Sequence, residues 1–344
     1  MVSNGNKNMN EKNKVATISW ALVLILAFLL PVLCNYDKYI LHTGISIAFN
    51  VALATSMWLI WTLGFVSFAH AGFMGIGAYT SALLFTRLGW PLWVNMWLAA
   101  GFAAIIAFII SIPLMRTRAV YFFMASWAIG EVIKRIFAYY REFFGGWDGI
   151  FDILPPKLSL FGLKIDFASR VAYYYLALVF CTLIVYAIYR INRSRTGMIY
   201  WGIHEGEILA QHVGINVLKH KVIAFTVACF FAGLTGALYA HYHTYINPKT
   251  FDIWQSEFSL VHIIVGGLNT VAGPILGALI LTIVDELLRP TGYYRVIFFG
   301  IIVILTVLFM PGGLETIPDR VRSLVNKFRN NRKEVRADAV TYNR

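Results

Sequence analysis

Apolar runs about as long as a helix needs to cross a bilayer follow one another along the chain, separated by short polar or basic connections. Run length and flanking charge place spans near residues 15–34, 39–62, 65–86, 92–114, 119–139, 170–190, 220–242 and 294–310. Two stretches break this pattern. At Arg195 to Lys221 the chain becomes polar and acidic, RTGMIYWGIHEGEILAQHVGINVLKHK, and then returns to apolar sequence. In VHIIVGGLNTVAGPILGALILTIVDELL, Gly266, Gly267, Gly273 and Pro274 interrupt an apolar run, because glycine tolerates unusual dihedrals and proline lacks an amide donor.

The polar stretch predicts a short helix. Glu205 and Glu207 fall in its first turn, where carboxylates favour the positive end of the helix dipole. Gly206 and Ala210 lie within it, and Gly214 ends it with Ile215 available for the apolar contact that accompanies such a cap. Ile208, Leu209, His212 and Val213 share one face at helical spacing. A helix of about two turns is marginal in water, so it needs a surface: a partner protein, or the headgroups with its apolar side down.

The second interruption is a matter of parity. With a basic N-terminus inside, the seventh span delivers the chain outside at His243, and a last span must still bring the eight Lys and Arg residues between Arg320 and Arg344 inside. Residues 254–289 then return to the face they left, and at roughly 1.5 Å per residue they suit two half-helices better than two full crossings. Backbone freed from a helix at membrane depth is tolerated only beside protein or a water-filled cavity, which makes Gly266, Gly267, Thr270 and Pro274 candidates for a translocation path. Close helix packing is the alternative. In GFVSFAHAGFMGIGAYTSALL, small residues at three and four spacing (Ala71, Gly72, Gly75, Ala78) offer a smooth face to another helix, and Gly75 is also a path candidate. Ser67 and His70 either line a wet cavity or make an interhelical hydrogen bond.

Composition agrees. The chain is 59% hydrophobic and 13% charged with mean hydropathy +0.67, against about 25% charged for a soluble domain. The fold class expected is all-α: a polytopic transmembrane domain over 15–312 with about eight spans plus a broken or re-entrant segment, a cytoplasmic tail at 1–14 and a basic cytoplasmic tail at 313–344. The net charge of +12 gathers in the tails and in Arg190 to Lys221, as the positive-inside rule expects, so it argues for a cell-membrane protein with both termini cytoplasmic and not for nucleic-acid binding. The run Val15 to Leu33 reads as an uncleaved first span. Cys34, Cys181 and Cys229 show neither metal-site nor disulfide spacing, and His241 and His243, two apart, do not share a helix face. Asp285 and Glu286 near Arg289, and Glu131 near Lys134 and Arg135, are expected to pair or reach the interface. No catalytic triad motif, metal site or cofactor signature is present. In the external segment 140–169, Gly145, Gly146 and Gly149 make turns, and Trp147, Phe151 and Ile153 are expected exposed on that side or at the interface.

Three blocks carry a family likeness: VSFAHAGFMGIGAY at 66–79, GEILAQHVGINVLKHKVIAFTVACFFAGLTGALYA at 206–240, and IIVGGLNTVAGPILGA at 263–278, followed by PGGLE at 311–315. In this order they resemble the membrane subunits of ABC importers for branched-chain amino acids and related small polar solutes, and GGWDGI at 145–150 is similar to the external loop of the larger of the two permease types. Asn269, His204, Gly206 and Ala69 depart from residues common in that family. The resemblance implies a second homologous permease, two cytoplasmic ATPase subunits and an external solute-binding protein as partners, within a lipid bilayer. It also implies that the inner loop 191–219 couples to the ATPases through Glu205, Gly206, Glu207, Ala210 and Gly214. No G-x-x-x-x-G-K-[ST] phosphate loop occurs in the chain, so ATP hydrolysis would belong to partners. Urea or a short amide is the alternative solute. An ion-driven secondary transporter, in which discontinuous helices also build the central site, is the alternative of a different class.

Overall fold

The computed structural model describes residues 26–32, 34–160, 163–292, 294–310 and 312–316. Most of the expected first span, 15–34, the tail 1–14 and the tail 313–344 beyond residue 316 therefore lie outside the described residues. Besides helical residues 26–32 and a single turn at Arg141–Phe144, the helices among the described residues are α1 Lys38–Trp61, α2 His70–Leu88, α3 Leu92–Leu114, α4 Ala119–Tyr139, α5 Arg170–Asn192, α6 Arg195–Glu205, α7 Glu207–His212, α8 Val217–His243, α9 Ile253–Gly266, α10 Ala272–Leu287 and α11 Tyr294–Phe309. By length and composition α1, α3, α5 and α8 can each cross a bilayer, and α11 is a shorter apolar helix.

Apolar run length fixed most boundaries, but α2 begins at His70 and not at 65. Residues 62–69 turn instead, with Gly64 at φ +81. The reason lies far away in sequence: the Ala71 amide donates to Ser256 Oγ of α9 at 2.8 Å, and that hydroxyl donates to the Phe68 carbonyl at 2.9 Å. The start of α2 is capped by another helix.

The core is built on α8, which crosses α2 and α3. A Cβ at Gly77 would overlap the Gly233 carbonyl, and one at Gly236 would overlap the Met74 carbonyl, so two helix backbones touch there. Ala100, Ala103, Ala228, Ala232 and Ala237, all buried, extend the same close approach. Gly72 and Gly75 do face neighbours, but those are Ile133 and Gly130 of α4 in one case and Phe251 with Phe137 in the other. α1, apolar on every side, is buried over most of its length among α5, α8 and α10.

The bundle has two distinguishable ends. One, here the basic end, carries the turn 62–69, the segment 193–216 and the connection between α9 and α10. At the other, residues 140–169 depart from an all-α fold: β1 Lys157–Leu160 and β2 Leu163–Asp166 form an antiparallel hairpin with Leu160 opposite Leu163. Gly145, Gly146 and Gly149 take positive φ, and Ile150 pairs with Ile246 in an isolated bridge. That bridge tucks the segment inward, and the Ile153 amide donates to the Thr244 carbonyl at 3.2 Å. Ile153 is thus fully buried, contrary to the expectation that it is exposed, while Trp147 and Phe151 are exposed.

Candidate functional site

The segment after α5 holds two helices and not one. Gly206 has extended backbone (φ −173, ψ 96), which closes α6 at Glu205 and starts α7 at Glu207. Glu205 is therefore an exposed C-terminal residue of α6 and not a first-turn carboxylate, whereas Glu207 keeps its place in the first turn. Gly214 ends α7 at φ +85, its amide donating to the Gln211 carbonyl at 2.9 Å while the Ile215 amide donates to Ala210 at 3.1 Å. This pair of bonds satisfies carbonyls that a short helix otherwise leaves open. Ala210 faces inward and is buried, and Ile208, Leu209 and Val213 are each 71% exposed. The apolar side of α7 thus points away from its own chain.

α7 is pinned from below. Lys221 of α8 is buried, its Nζ 2.6 Å from Glu207 Oε2 and 4.5 Å from the Phe65 ring centre. A buried ammonium requires such pairing, because removing one partner strands a charge in a low-dielectric interior. In α6, burial pushes the Tyr200 phenol up to about 12, so it stays neutral. Trp201 donates its indole N–H to Asn192 Oδ1 at 3.0 Å and sets its ring against Trp58, with centres 6.3 Å apart. His204 Nδ1 lies 3.1 Å from the Trp61 carbonyl.

Trp58 is also bound to the break between α9 and α10. Its indole N–H donates to the Leu268 carbonyl at 2.9 Å. The carboxylate of Glu315 accepts from the Asn269 and Thr270 amides at 3.1 and 3.2 Å and from the Thr270 hydroxyl at 2.5 Å. The glycines of the break serve close packing: a Cβ at Gly266 would meet the Gly273 carbonyl, one at Gly273 the Gly267 carbonyl, and one at Gly277 the His262 carbonyl. Gly267, at φ +130, holds a conformation that side chains rarely adopt. Pro274 is buried in the first turn of α10.

Ser67 and His70 lie at the start of α2 and are fully buried. His70 Nε2 shares a hydrogen bond with Ser56 Oγ of α1 at 2.8 Å, while His70 Nδ1 and Ser67 Oγ have no partner among the described residues. The fold thus sets His70 and the connection between α9 and α10 against α1 at Ser56 and Trp58, two residues apart, and leaves Gly75 apart, beside Phe137 and Phe251. Sequence reasoning missed Trp58, Trp201, Lys221 and Glu315. Lys221 counted there only as a flanking positive charge, and Glu315 only as the end of PGGLE.

Comparison with known proteins adds an independent finding. Residues 39–307 match a family model described as branched-chain amino acid transport system / permease component. The chain is 30% identical over 270 residues to the high-affinity branched-chain amino acid transport system permease protein LivM of Escherichia coli K12, and equally to LivM of Salmonella typhimurium LT2. These matches cover 73% of this chain and span 64% of the relative's length. A match at 24% identity over 291 residues, covering 75% of this chain and 87% of the relative, is to the high-affinity branched-chain amino acid transport system permease protein LivH of E. coli K12.

Proposed function

The chain belongs to the branched-chain amino acid transport system permease family, and from that premise we propose that it is the membrane-spanning subunit of an ATP-driven importer of branched-chain amino acids. The apolar helices make it a multi-pass membrane protein. In this reading the basic end and both tails are cytoplasmic, two ATPase subunits dock there, a second homologous permease completes the pore, and an external solute-binding protein delivers solute at the hairpin end. The higher identity to LivM than to LivH supports assigning the chain to the LivM side of that pair.

The observation that carries the proposal is α7: a six-residue helix whose apolar residues Ile208, Leu209 and Val213 face outward, held by an ion pair at one end and a glycine cap at the other. So short a helix is preserved only by such anchoring, and its uncovered apolar ridge suits a groove on a motor subunit. Lying flat on headgroups leaves the anchoring without purpose.

Reconstitution decides it. Proteoliposomes holding this chain with its permease partner, ATPase subunits and binding protein are expected to take up leucine, isoleucine or valine on addition of ATP. Leu209→Asp is expected to abolish uptake while the protein still inserts. Uptake driven by an ion gradient with this chain alone overturns the proposal.

A further inference from the structure

Glu131, Lys134 and Arg135 of α4 form, with Asp252 at the start of α9, a cluster of four charged side chains. Lys134 Nζ is 2.6 Å from Glu131 Oε2 and 2.9 Å from Asp252 Oδ1 at the start of α9, and Arg135 Nε donates to Glu131 Oε1 at 2.8 Å. Glu131 precedes the last residue of α4, Tyr139, by about 12 Å of helix rise, so it is well below the hairpin end. A carboxylate has no reach to bridge that depth.

The direction in which the cluster points is informative. α4 buries Phe122, Ser126, Gly130, Ile133 and Phe137. At roughly 100° per residue Arg135 stands opposite the middle of that stripe, with Met124, Ala128 and Glu131 near it on the outward side. Its side chain is 70% exposed. An arginine in lipid extends toward the nearer headgroups, here the Tyr139 end. Arg135 does the reverse, drawn back one turn toward the membrane middle by Glu131. Charge held at that depth and aimed outward needs water or a polar ligand in front of it. Lys134 is shared between two carboxylates, and only Nε of Arg135 is engaged among the described residues, which leaves the rest of its planar fork for a carboxylate.

We propose that this face of α4 lines the water-filled solute path, and that Arg135, positioned by Glu131, binds the carboxylate of the amino acid in transit. The inference rests on the transport reading above and adds the path residue that it lacks.

Arg135→Cys, introduced into the assembled transporter in liposomes, tests it against the unsubstituted chain as control for Cys34, Cys181 and Cys229. A charged, membrane-impermeant thiosulfonate is expected to modify it, more slowly during turnover with leucine, and a positively charged reagent is expected to restore part of the uptake that a negatively charged one does not. Arg135→Gln is expected to lower uptake at low solute concentration about tenfold, the size of one charge-assisted hydrogen bond, with Arg135→Lys losing less and ATP hydrolysis retained. No modification places Arg135 against lipid or a partner and overturns the path. Modification without protection by leucine overturns the carboxylate contact and points to a lipid phosphate. Failure of uptake already in the unsubstituted assembly instead refutes the transport reading, and that control identifies it.

Discussion

The separation of α8 from α2 is set by single atoms. At Gly236 a Cβ would strike the Met74 carbonyl, and a main-chain oxygen inside a helix cannot step aside as a flexible side chain does. Gly236→Ala is accordingly expected to cost about 1–3 kcal/mol, seen as a lowered thermal unfolding midpoint in detergent. Gly101→Ala, on α3 with nothing within 4 Å, is expected to leave it unchanged. Equal midpoints for the two variants sink the argument. Small residues at helical spacing in 71–78 were legible in the sequence, but their true counterparts were not. Gly233 and Gly236 sit in a run that shows no spacing relation to α2, and only the fold reveals that Gly77 is the contact. Lys221 is the same lesson with charge: at the start of an apolar run it resembles any flanking lysine until Glu207 and Phe65 are found around it.

Elements were legible where one segment determines them. The ends of α3 and α4 follow from apolar length alone, as does the position of the glycine-rich connection that divides 254–289 into α9 and α10, although that connection lies beside Trp58 and α10 runs back along α1 to Asn50. They were missed where another segment decides: Ser256 sets the start of α2, and the hairpin at 157–166 pairs two strands of four residues, too short for alternation to stand out. The break itself is held by Glu315, which accepts two amides and a hydroxyl from Asn269 and Thr270. Glu315→Gln removes the charge and one acceptor, so the connection is expected to open more readily by about 1 kcal/mol, discounted for its exposure. Hydrogen exchange of the Asn269 and Thr270 amides is expected to quicken several-fold with that of α8 unchanged. Unaltered exchange at both amides shows that the carboxylate does not hold the connection.

Taken as one object, the molecule joins its two distinctive segments through α1. Trp58 donates to Leu268 in the break and stacks edgewise on Trp201 of α6, while Trp61 offers its carbonyl to His204 beside α7. Packed rings and one hydrogen bond thus join α6, which directly precedes α7, to the α9–α10 connection. A chain of contacts is only a candidate route until both ends are shown to bias the same element. Trp58→Phe supplies the test, because it keeps an aromatic ring and deletes the N–H, leaving the Leu268 carbonyl without that donor. Fewer amino acids are expected to be imported per ATP hydrolysed, with the ATPase rate itself little changed. Combined with Trp201→Leu, the loss is expected to be no larger than for the worse single variant, since two cuts in one linkage do not add. Additive losses mean that the two tryptophans act separately and that, on the proposed function, a stroke delivered at α7 enters the membrane elsewhere, most directly through α8, to which Lys221 ties α7.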